Sequence, residues 1–161
     1  MNVIVILSIF AVGIFVTAFF TKRRFGFLGL ALAAGSILSV IWGYDIRLEA
    51  SVFGAPSGSM TTALVSSLLI LFPAGILLFH GDKYKTLVGR IVGAVLFTLL
   101  AVAFLIEPLS QTISPQGFGS NIFNWLVNNR NTVIGAGLTI AILDLILTKP
   151  SHFPIKHHKK H

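Results

Sequence analysis

Few residues in this chain could do chemistry, and their positions narrow what that chemistry can be. Asp144 lies three residues before the end of one apolar run, Thr132–Leu147, and Arg90 lies three residues into another, Leu87–Ile106. A charge at the centre of a membrane span costs at least ~2.5 kcal/mol, so such groups find partners or reach the interface. Two readings follow: a structural ion pair between Arg90 and Asp144, or an Arg90 that snorkels to the headgroups. Asp144 alone cannot form an intramembrane aspartyl dyad, which needs two aspartates sharing a site. Gly54-Ala55-Pro56-Ser57-Gly58 has the outline of a serine elbow, but the histidines belong to the opposite face or the tail, and no triad can assemble. Gly81–Arg90 holds Gly, Lys and Thr without phosphate-loop spacing. The absence of cysteine removes thiolate nucleophiles and cysteine-ligated metals. His157, His158 and His161, with His152 upstream, could offer ligands on a helix face. The interleaved lysines oppose cation binding and favour contact with anionic lipid. The expectation is no catalytic residue, no cofactor and no metal.

The elements that hold these residues follow from composition. Of 161 residues, 55% are apolar and 11% charged, and the mean hydropathy is +0.89. That is too little charge to cover a soluble surface, and it excludes a disordered chain. The net charge of +7 sits in short clusters between apolar runs, so a nucleic-acid partner is not expected. Five runs approach the ~17–25 residues that cross a bilayer as helix: Val3–Phe20, Phe25–Gly43, Met60–Phe79, Leu87–Ile106 and Thr132–Leu147. The first is read as a retained span, because its positive residues follow the apolar core rather than precede it. With the N-terminus outside, Lys22, Arg23, Arg24, Lys83, Lys85, Arg90, Lys149, Lys156, Lys159 and Lys160 face the cytoplasm, leaving Arg47 and Arg130 outside. The fold expected is all-α: a polytopic bundle of five spans over residues 1–148, N-out and C-in, with a basic cytoplasmic tail over 149–161.

Three further patterns bear on architecture. Between Ser114-Pro115-Gln116-Gly117 and the fifth run, Phe118, Ile122, Trp125 and Leu126 share a helical face. This predicts a short amphipathic helix that either lies in the interface or caps the outer end of the bundle. Ala31, Gly35, Ser39 and Gly43 recur every four residues on the second helix, as Gly89 and Gly93 do on the fourth. Such ladders permit close helix approach, within the chain or between copies of it. Pro73 is expected to kink the third span.

Thr21-Lys22-Arg23-Arg24-Phe25-Gly26-Phe27-Leu28-Gly29-Leu30 resembles the basic turn and glycine-bearing second helix of the colicin V production protein family. The stretch 81–94, with Asp82 and Lys83 ahead of Gly89 and Gly93, is similar to that family's segment before its fourth helix. The resemblance implies a small bacterial inner-membrane protein, linked to toxin production or secretion and to envelope maintenance. It brings no catalytic residues, and the family is typically four-spanning. The functional expectation is a non-catalytic membrane scaffold or accessory subunit, with lipid and a membrane protein or a second copy as partners. The alternative is a small oligomeric channel or transporter with a path lined by Ser36, Ser39, Thr61, Thr62, Ser66 and Ser67.

Overall fold

A computed structural model describes residues 3–52, 58–80, 83–110, 112 and 120–147. Among these residues it is entirely helical. The turn over 54–57, Ser114–Gly117, Phe118, Asp82 and the histidine-rich tail lie outside the described residues. Five helices follow one another: α1 (Val3–Thr21), α2 (Phe25–Val52), α3 (Ser59–Phe79), α4 (Leu87–Ser110) and α5 (Ser120–Ile146). Three segments, Phe25–Glu49, Ser59–Phe79 and Leu87–Ser110, are long and apolar enough to cross a membrane. The surface agrees with that, since large apolar side chains such as Val40, Phe72 and Phe79 stand exposed, whereas no polar side chain is buried among the described residues.

Two boundaries differ most from the expectation. α2 continues nine residues past Gly43, through Asp45, Arg47 and Glu49, because a helix needs apolar residues only where hydrocarbon surrounds it. The amphipathic segment and the fifth run form one helix, α5, of 27 residues. The inward stripe Phe123, Val127, Arg130, Ile134, Leu138 and Ala141 keeps helical spacing across the asparagine-rich join. In the amphipathic part Phe123 is buried against Ile106, while Ile122 and Trp125 are more than half exposed and Leu126 packs at the edge of that cluster. α3 runs unbroken through Pro73.

α2 and α4 are the central helices. α2 pairs most extensively with α3 and also meets α5 and α4, while α1 lies chiefly against α4. The core gathers Phe25, Leu28 and Leu32 of α2, Ile70 and Ala74 of α3, Phe97, Leu100 and Ala101 of α4, and Ala141 of α5. The small-residue ladder of α2 is used unevenly. A Cβ on Gly35 would run into the Ile70 carbonyl, so this glycine sets the α2–α3 approach. Ala31 is buried, Ser39 borders a cavity, and a Cβ on Gly43 would meet nothing nearer than 3.9 Å. The α2–α5 crossing uses Gly26 and Gly29, where a Cβ would stand 2.7 Å from the Ala141 carbonyl and 2.9 Å from the Ala141 Cβ. Several hydroxyls are satisfied within their own helices, as Thr17 donates to Gly13, Thr98 to Ala94 and Thr139 to Gly135.

Candidate functional site: two polar ends of the bundle

The basic end is built from the α1–α2 turn, the α3–α4 connection and the last turn of α5. Each helix leaves unpaired N–H groups at its start and carbonyls at its end, and their partial charges attract carboxylates and cations respectively. None of the five helices has an acidic residue in its first turn or a basic one in its last. The complementing groups come from other parts of the chain instead. Asp144 of α5 accepts a hydrogen bond from the Gly26 N–H through Oδ2 at 3.0 Å, and the Tyr84 hydroxyl accepts one from the Phe25 N–H at 3.1 Å, so together they cap the start of α2. The Tyr84 hydroxyl in turn donates to Asp144 at 3.2 Å. Arg23 donates to the carbonyls of Leu78 (3.0 Å from Nε) and Phe79, closing the end of α3. Arg90 reaches the Phe19 carbonyl at 3.4 Å and lies over the Phe19 ring at 4.8 Å, at the last turn of α1.

The expected Arg90–Asp144 pair is therefore replaced by separate contacts. Similar depth did not bring the two together, because Asp144 turns toward the uncapped start of α2 and Arg90 toward the end of α1. Tyr84, singled out by no spacing rule, joins these parts. Its N–H donates to the Lys22 carbonyl at 2.8 Å, beside an isolated bridge between Arg23 and Lys83, and the Arg24 guanidinium stands 6.0 Å from its ring. Gly89 and Gly93 face that ring, and added Cβ atoms would come within 2.9 Å and 2.5 Å of it. The α4 glycines thus make room for a tyrosine, not for a neighbouring helix. Thr86, accepting from the Gly89 N–H at 3.2 Å, caps α4 locally.

Burial pushes the Tyr84 phenol above its ordinary value of 10.0, the Phe25 N–H works against that rise, and the Asp144 charge adds to it. The folded state therefore holds its proton more tightly than the unfolded chain does. The stability this contributes is complete below pH 10 and falls as pH climbs from there through the folded value. In the Tyr44→Phe variant, where Tyr84 is the remaining tyrosine, phenolate absorbance should rise with a midpoint above 10. Unfolding the protein should move that titration downward. A folded-state midpoint at or below the unfolded one would contradict the burial of the Tyr84 hydroxyl beside Asp144.

The opposite end carries Asp45, Arg47, Glu49, Glu107 and Arg130. Arg130 of α5 and Glu107 of α4 form an ion pair, 29% and 54% exposed respectively. Beside them a cavity of about 330 Å³ opens between α2, α3, α4 and α5. Ser36 and Ser39 of α2 and Thr62 and Ser66 of α3 line it together with Arg47, and Ile70 and Phe104 are its buried lining. Four of the six hydroxyls noted in the sequence thus meet at one place, while Thr61 and Ser67 do not line it. Among the described residues no three potential metal ligands gather.

Family models, curated proteins and solved structures offer no match to this chain. Its reading rests on its own residues.

Proposed function

We propose that the chain is a five-span helical bundle of the bacterial plasma membrane, N-out and C-in, that acts without catalysis as a membrane scaffold or accessory subunit. The observation that carries this reading is the trans-capping at the basic end: Asp144, Tyr84, Arg23 and Arg90 join helix ends to one another, which is a structural use of charge. Lys22, Arg23, Arg24, Lys83, Lys85 and Arg90 all gather at this end, as the positive-inside rule asks of a cytoplasmic face. Lys22, Lys83 and Lys85 remain exposed and suit anionic headgroups. The two stretches on which the colicin V production resemblance rests meet in space, through the Lys22–Tyr84 and Phe25–Tyr84 hydrogen bonds.

Reporter fusions after Arg24, Gly58, Lys85, Gly117 and His161 should read in, out, in, out, in. The same side at Gly117 and His161 would reduce the bundle to four spans. Co-purification of a defined membrane partner from native membranes would support the accessory role. A second reading, an oligomeric channel or transporter, is favoured by the gathering of Ser36, Ser39, Thr62 and Ser66 around one cavity. Solute or ion flux in proteoliposomes of the purified chain would establish it in place of the first.

A further inference from the structure

The cavity at the outer end has a charge and donor pattern that the helix packing does not use. Two guanidinium groups, Arg47 and Arg130, and one carboxylate, Glu107, border it, so its lining is net positive by one. Arg130 gives one nitrogen to Glu107, while its Nε is buried without a hydrogen-bond partner. A buried donor left unmet is unfavourable unless something accepts from it. Arg47 makes no hydrogen bond or ion pair among the described residues, and neither do the hydroxyls of Ser39, Thr62 and Ser66. Ser36 alone of the four hydroxyls is committed, to the Ala33 carbonyl at 2.7 Å. At 1.5 Å per residue the site extends about 16 Å along α2, from Arg47 to Ser36. On the same helix Ile37 and Val40 are 60% and 84% exposed, so the polar lining meets an apolar outer wall.

We propose that this cavity binds a singly anionic phosphodiester, seated between the Arg47 and Arg130 guanidinium groups. Guanidinium forks match phosphate oxygens two at a time, and the unused hydroxyls donate to the remaining ones. The single net positive charge matches one negative charge, while Glu107 repels a dianion. The exposed Ile37 and Val40 lie where the substituents of such a diester would emerge. The volume falls at the small end of ligand cavities, ~300–1,000 Å³, which suits a headgroup and not a large metabolite.

The same chemistry is offered by a lipid headgroup and by a free organic phosphodiester, and one experiment separates them. Purified full-length protein in an uncharged detergent is titrated calorimetrically with dihexanoyl phosphatidylglycerol, with glycerophosphoglycerol (the same diester without acyl chains), and with uncharged dihexanoylglycerol. The expected result is binding of the acylated diester and none of dihexanoylglycerol. Arg47→Gln should weaken it about tenfold, as loss of one charge-assisted fork implies. Thr62→Val, which keeps shape and removes one donor, should weaken it about threefold to tenfold. Thr139→Val, whose hydroxyl is committed to the Gly135 carbonyl within α5 and lies away from the cavity, should leave it unchanged. Equal binding of glycerophosphoglycerol would identify a free diester as the ligand, and binding that needs the acyl chains would identify a lipid. The proposal is overturned if neither diester binds, if dihexanoylglycerol binds as well, or if folded Arg47→Gln protein binds as the parent does.

Discussion

Asp144→Ala should lower the unfolding free energy of the protein in detergent by about 2–3 kcal/mol, the cost of leaving a helix start without its charged cap. The substitution strands the Gly26 N–H and the Tyr84 hydroxyl together, so two groups lose their acceptor at once. Asp144→Asn keeps the shape and one carbonyl oxygen, and should cost less. Tyr84→Phe, which removes the acceptor for the Phe25 N–H, should cost about 1 kcal/mol. The double variant should be less harmful than the sum of the singles, because the shared hydrogen bond is lost only once. The reciprocal exchange of Arg90→Asp with Asp144→Arg should be no better than the sum of its parts. Recovery on that exchange, measured by thermal unfolding, would mean that Arg90 and Asp144 are partners after all.

The second large effect is expected at Gly35. Gly35→Ala drives a methyl group into the Ile70 backbone, which cannot rotate aside as a side chain could. The helices must part, at about 1–3 kcal/mol for overpacking, which outweighs the ~1 kcal/mol of helix propensity that alanine brings. Gly35→Val should be worse. Gly43→Ala, whose methyl group would meet the Ser39 hydroxyl at an ordinary 3.9 Å, should be neutral or slightly stabilising. The comparison separates the two uses of a small-residue ladder. Equal sensitivity at both positions, read as loss of a dimer on cross-linking, would show that the ladder joins copies of the chain.

The helices themselves were legible because apolar runs of bilayer length leave few alternatives. Their ends are less legible, because a polar stretch can continue a helix beyond its apolar run. Tyr44–Val52 and Ser120–Asn131 are polar yet helical, and in α5 the periodic positions Phe123, Val127 and Arg130 carried the signal across the join. Asp144 was legible as a residue that must have a partner, and the choice of Arg90 came from depth alone. Position around each helix axis decides such contacts, and it cannot be read from counting inward. One clue was present. Phe25 follows Arg24, so α2 begins without a Ser, Thr, Asp or Asn cap, and its first N–H groups must be met from elsewhere. The Tyr84 ring against Gly89 and Gly93 left no such trace, since glycines four apart suggest a helix contact equally well.

The Asp144 cap also has a consequence in time. The acceptor for Gly26 stands 118 residues later in the chain, on the last of the five helices. Synthesis runs from the N-terminus, so α2 is made early; Phe25 can meet Tyr84 midway, but the Gly26 N–H waits through most of translation for its acceptor. A chain halted before α5 cannot close that end, however well its first four helices pack. Such a fragment leaves the Gly26 N–H without the acceptor that a finished molecule supplies, a difference that membrane proteases can act upon. The second helix thus reports whether the fifth has arrived.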